Sequence, residues 1–214
     1  MLPQLKPLPT TIPEQLQRAE ELRAKGELDE ALREAVAYLN DHYDDVMALT
    51  LTAHIFIDAD RMGLAHPILR RACQLAPNMS VLWNNLGLCY QEGSNLAEGE
   101  ACFHRAIKLD PNSPYAYNNI AQMYVNMAQP ALAIKNADRA IALDDQFSDA
   151  HYNRGLAKLQ LGDWSGWEGY DANLGVSKVR RERKYGKVPR WQGEKGKTIR
   201  SEEHTSELQS RSAI

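Results

Sequence analysis

The sequence predicts an all-α protein built as an array of antiparallel helix pairs. Three observations carry this prediction: an apolar stripe with helical spacing, its return every 34 residues, and turn residues that fall between the stripes in a constant phase. The stripe is clearest at Trp83, Leu86, Gly87 and Tyr90, spaced i, i+3, i+4, i+7, which is one face of a helix. One interval later stand Tyr117, Ile120, Ala121 and Tyr124. One interval earlier stand Leu49, Thr52, Ala53 and Phe56, with Thr52 the single polar member.

A second ridge follows each stripe: Gly99, Phe103 and Ala106, then Ala133, Ala137 and Ala140, with Ala65, Leu69 and Ala72 one interval earlier. Small residues on both helices let two backbones approach closely, Gly87 towards Gly99 and Ala121 towards Ala133. Pro77-Asn78 and Pro111-Asn112 stop the second helices. Ser80, Ser113 and Ser148 stand where caps of the following first helices are expected, and Pro114 takes a permitted first-turn position.

These residues resemble the tetratricopeptide repeat: a large apolar residue, Leu, Gly and Tyr, then Ala, Phe, Ala and a closing Pro. The resemblance implies a right-handed α-solenoid, with windows at 12–45, 46–79, 80–113, 114–147 and a partial one at 148–173. Residues 1–11 are an extension before the array. The first window keeps Ala19, Gly26 and Ala31 but places Gln15 and Arg18 at usually apolar positions, as suits an end repeat with one face in water. Thr11 and Glu14 form the pattern of a capping box. In the fifth window Trp167 falls where Gly99 and Ala133 stood. Either the turn slips by one residue and brings Gly166 into place, or the helix is not a repeat helix.

Composition narrows the function. The 214 residues are 43% hydrophobic and 25% charged with net charge -3, so no global basic field attracts nucleic acid. No stretch approaches the ~20 apolar residues that span a bilayer, and the amino terminus lacks a secretory apolar core, so a cytoplasmic protein without membrane partners is expected. Cys73, Cys89 and Cys102 fall on apolar stripes and are expected to be reduced core residues.

The resemblance implies a concave surface, lined by the first helices, that holds a protein or extended peptide. Asn85, Asn119 and Asn153 recur there in one phase, and a row of amides can bond an extended main chain whatever its side chains. The row resembles the asparagine ladder of protein O-linked N-acetylglucosamine transferases. Its plainer source is that Asn is common beside the Leu-Gly pair in this family. Asn84, Asn118, Tyr115, Gln122 and Tyr152 are the neighbouring candidates. Asn and Tyr replace the cations with which some members clamp a peptide carboxylate.

After Gly162 the composition changes, and the span 178–197 is strongly basic, the pattern of a phosphate or membrane-surface patch or of a solvated linker. Gly162, Trp164, Trp167, Tyr170, Pro189, Trp191, Gly193, Gly196, Lys197, Thr198 and Ile199 resemble the junction of bacterial and phage proteins that join these repeats to a glycosyltransferase-like domain. That resemblance implies a linker at 174–199 and a chain truncated after Ile199. Residues 200–214 match neither pattern and resemble a translated sequencing adaptor. Gly196-Lys197-Thr198 is not a phosphate-binding loop, because Trp191 stands where the signature needs Gly.

Catalytic chemistry is not in evidence. The six histidines lack metal-site pairing and the cysteines lack Cys-x-x-Cys spacing, so neither metal nor cofactor is expected. Glu20-Glu21, Asp44-Asp45 and Asp144-Asp145 fit solvated helix ends rather than a catalytic pair. The expected function is a binding scaffold, the recruiting region of a glycosyltransferase-like protein; the alternative is a stand-alone assembly adaptor.

Overall fold

A computed structural model describes residues 13–172. Among them lie ten α-helices in five pairs: α1 (Glu14–Lys25) and α2 (Leu28–Asp41), α3 (Val46–Asp58) and α4 (Met62–Leu75), α5 (Ser80–Glu92) and α6 (Leu96–Leu109), α7 (Pro114–Asn126) and α8 (Pro130–Leu143), α9 (Ser148–Gln160) and α10 (Gly166–Ala172). Each first helix packs on its own partner, and each second helix leans on the first helix of the next pair. The first helices also touch one another, α1 on α3, α5 on α7 and α7 on α9. The expected all-α solenoid is the fold found.

The apolar stripes become core that crosses repeat boundaries. Leu82 and Leu86 of α5 share a cluster with Leu49 of α3 and Leu69 of α4, while Phe103 of α6 joins Ile120 of α7 and Ala157 of α9. A single helix pair therefore cannot bury its apolar face alone. The polar member of the stripe, Thr52, is buried and donates its hydroxyl to the Ala48 carbonyl at 2.8 Å, so no polar group is left bare there. Arg18 sits exposed and pairs with Glu34 at 3.2 Å.

Within each pair the helices meet at small residues. A methyl group added to Gly99 would lie 3.3 Å from the Gly87 carbonyl oxygen, and one added to Gly87 would lie 2.7 Å from the Phe103 ring. The fifth pair goes further. A methyl on Gly155 would stand 2.5 Å from the Gly166 carbonyl oxygen and 2.6 Å from the Tyr170 nitrogen, and Gly169 abuts the His151 carbonyl. The turn has slipped by one residue, so that Gly166, not Trp167, takes the place of Gly99.

The turn joining the two helices of each pair has its own period. Gly26, Asp60, Ser94, Ala128 and Gly162, one per repeat at intervals of 34, all have φ between 53° and 81°. Only two are glycine. The other three hold a left-handed backbone that costs an L-residue roughly 1–2 kcal/mol, a strain the surrounding packing imposes.

Helix starts differ from expectation. Ser80 and Ser148 are the first helical residues rather than caps, because the helices begin one residue earlier than the serines implied. Ser113 is an N-cap whose side chain makes no capping bond. Asp45 does cap, accepting from the Ala48 amide at 2.8 Å. α1 opens after Pro13, whose side chain has no acceptor to offer. Thr11 and the segments 1–11 and 174–214 lie outside the described residues. Pro114 and Pro130 both stand in a first turn, where a missing N–H costs nothing.

Two stability outcomes follow from this geometry. Ala128→Gly should stabilise the protein by about 1 kcal/mol by relieving the left-handed strain, visible as a raised Tm. Gly155→Ala should destabilise it by about 1–3 kcal/mol, since the obstacle is the backbone of α10, and the gain in helix propensity does not offset it. Hydrogen exchange should then rise in 166–172 but not in α5 or α6; unchanged exchange there would refute the close contact.

Candidate functional site: the first-helix face

The repeat interval aligns the first helices position by position. Tyr115, Asn118, Asn119 and Gln122 of α7 are spaced i, i+3, i+4, i+7, and Asp149, Tyr152, Asn153 and Leu156 of α9 occupy the same places one repeat later. On α5 the corresponding residues are Val81, Asn84, Asn85 and Leu88. The sequence-derived candidates are thus brought to one face.

The asparagines do not face a ligand. Asn84, Asn85, Asn118, Asn119 and Asn153 are all 2% exposed or less. Asn119 donates to the Asn84 oxygen at 3.0 Å, and Asn84 donates to the Asn85 oxygen at 3.2 Å. Asn85 donates to Nε2 of His54 at 2.6 Å. A second link runs from Asn153 to the Asn118 oxygen at 2.8 Å. The expectation that these amides bond a peptide main chain is corrected: they bond across the repeats, because burial makes an unpaired amide costly and each supplies both donor and acceptor.

His54 ends this chain, and the sequence reading missed it. Its Nε2 accepts, which places the ring proton on Nδ1, a buried atom without a hydrogen-bond partner. Burial drives its pKa down to about 3, with the positive charge of Arg23 adding to the effect. Arg23 itself spans Glu20 at 2.7 Å and Asp58 at 2.6 Å, tying α1 to α3. The sequence signal was a polar residue on an otherwise apolar stretch of α3, readable only once its neighbours were known.

The remaining candidates stay nearer the surface. Tyr115 and Gln122 are half-buried, and Tyr115 meets the Phe147 ring edge-on at 5.5 Å. Tyr152 is 9% exposed and packs on Tyr170, which in turn meets Trp167. Of the junction residues, Gly162 forms the turn, Tyr170 packs on Tyr152 of α9 with Trp167 against it, and Trp164 is 71% exposed. Those from Pro189 onward lie outside the described residues.

The paired acids are used structurally: Asp44 accepts from Arg71, Glu20 from Arg23, and Asp144 from the Gln146 amide. Among the described residues no group of His, Cys, Asp or Glu is placed to hold a metal ion, and no helix is long and apolar enough to cross a membrane. The three cysteines are buried free thiols. Burial pushes Cys73 and Cys89 up to about 12 and Cys102 up to about 11, which leaves them unreactive near neutral pH.

Tetratricopeptide repeat family models match residues 80–113, 102–135 and, in a third case, 16–80 with 119–166. The chain belongs to the tetratricopeptide repeat family. Its repeats are non-catalytic and form a protein-interaction scaffold. Among solved structures it is similar to PilW, a widely conserved type IV pilus biogenesis factor, at 23% identity over 74% of this chain and 75% of that one, with a TM-score of 0.67. YrrB, a TPR protein with an unusual peptide-binding site, shares 18% identity over 73% of this chain and 81% of its own, with a TM-score of 0.56. A mutant O-GlcNAc transferase of Thermobaculum terrenum is 25% identical over 53% of this chain but only 22% of its own, with a TM-score of 0.51. No curated protein matches the chain.

The neutral His54 links stability to pH. Unfolded, the imidazole titrates near 6.5; folded, near 3, so below pH 6.5 the unfolded state takes up a proton the native state refuses. Stability should therefore be full above pH 6.5 and fall by up to about 1.4 kcal/mol per pH unit down to about 3. His54→Gln should flatten that slope in urea titrations; an unchanged slope would place the linkage elsewhere.

Proposed function

We propose that the tetratricopeptide repeat array binds an extended segment of a partner protein along the concave face of its first helices, through Tyr115 and Gln122. The observation that supports this reading is their half-exposure, on a face whose asparagines are buried and bonded to one another. Tyr115 brings a rigid apolar ring with a polar tip, and Gln122 brings a side-chain amide that can serve a main chain. Binding is then centred on α7 rather than spread along a three-repeat amide row. Asn84, Asn85, Asn118, Asn119 and Asn153 act beneath it as the framework that fixes the register of the helices.

The partner region of a glycosyltransferase-like protein is the more specific reading. It rests on the junction residues at 162–199 and on the likeness to the O-GlcNAc transferase. A stand-alone adaptor is the alternative, and a downstream coding sequence with a sugar-nucleotide-binding domain separates the two.

Peptides selected on the full chain from a random displayed library provide the test. Tyr115→Ser with Gln122→Ala should weaken them at least about fivefold in fluorescence anisotropy while helicity is kept. Binding unchanged in that variant would move the site off this face.

A further inference from the structure

The second helices carry a row that the first-helix site does not use. Arg71, Arg105 and Arg139 recur at intervals of 34 on α4, α6 and α8, and all three are exposed. The Arg105 guanidinium carbon lies 5.9 Å from the centre of the Trp83 ring, and that of Arg139 lies 5.9 Å from the centre of the Tyr117 ring. Trp83 and Tyr117 hold the same place in consecutive repeats. Leu49 stands there in the repeat of Arg71, which instead pairs with Asp44 at 2.7 Å. An aromatic face beneath a guanidinium restrains the side chain and leaves its N–H fork directed outward.

The surroundings of the row are cationic. Arg70, Lys108 and Lys135 are exposed on the same helices, whereas the exposed acids there are Glu98 and Asp138, the latter already held by Arg154 at 3.2 Å. α4 contains no acid at all. Yet residues 13–172 as a whole carry 23 acidic against 13 basic side chains. The second helices thus present a local cationic strip on a body of the opposite sign.

We propose that Arg105 and Arg139, continued by Arg71, form a docking surface for an acidic extended segment of a partner protein, with the two guanidinium groups that lie over rings each receiving a carboxylate. A planar fork matches a carboxylate bidentately, and a restrained one loses less freedom on pairing. The acidic body also selects among anions. A nucleic acid or anionic bilayer brings dense charge beyond the strip and is repelled by the rest of the array, whereas a short acidic segment stays within about 10 Å of the cations, one screening length. This surface is independent of the first-helix face and stands or falls separately from it.

A fluorescein-labelled peptide of alternating Glu and Ser, titrated with the full chain at low and moderate salt, tests the assignment. Binding should weaken as salt rises, and a matched Gln and Ser peptide should bind at least about tenfold more weakly. The double variant R105Q/R139Q should lose about tenfold in affinity with helicity and Tm retained, and R105K/R139K, which keeps charge but not the stacked fork, should lose several-fold. Wild-type affinity in either variant overturns the proposal, as does a lowered Tm with affinity intact, which would make the arginines staples of the helix pairs only. Single-stranded DNA or phosphatidylglycerol vesicles binding as tightly as the acidic peptide overturns it as well.

Discussion

The close approach of two backbones within each helix pair is the constraint from which the rest of this protein follows. At Gly155 and Gly166 there is room for hydrogen and nothing larger; at Gly99 a methyl would press on the Gly87 carbonyl oxygen at 3.3 Å, and at Gly87 it would meet the Phe103 ring. That contact fixes the rotation of each helix about its axis, and therefore which residues face the neighbouring repeat. It also explains the slip in the fifth pair. A tryptophan cannot enter such a contact, so the turn at 163–165 changes and the chain re-enters its helix with Gly166 in place. The fixed separation of the helices in turn dictates the turn between them, which stays left-handed even where the residue is Asp60, Ser94 or Ala128.

Once the helices are set, the polar residues on the stripe have few options. Asn119, Asn84, Asn85 and His54 come from three first helices and meet where water does not reach, so each of the three amides donates to an acceptor on the next side chain. Apolar packing tolerates small slippage; an amide chain does not, because a shift of one residue would strand several buried polar atoms at once. The network thus serves register. A residue type that signals ligand binding when exposed becomes a structural part when buried, and the family resemblance alone does not distinguish the two.

The two helix sets consequently carry different chemistry. The first helices are joined by neutral amides and leave Tyr115 and Gln122 at the surface. The second helices show charge, with Arg105 and Arg139 resting on the rings of the first-helix stripe. Trp83 is therefore shared, packing against the apolar core while lying under a cation. A repeat unit can supply two distinct surfaces in this way without enlarging its core.

By itself the sequence determined the array: the interval of 34, the pairing of helices through Gly87, Gly99, Ala121 and Ala133, and the burial of the cysteines. These are properties of local spacing and residue size, and spacing is preserved along a chain. The arginine row of the second helices is written in that same interval, as plainly as the amides of the first. What only the tertiary structure decided was the fate of individual polar groups: that Asn85 meets His54, that Asp45 caps while Ser80 and Ser148 do not, and that Gly166 replaces Trp167. Each depends on which atoms arrive from another helix, with exposure and hydrogen-bond partners set by distances of a few tenths of an ångström that no one-dimensional pattern contains.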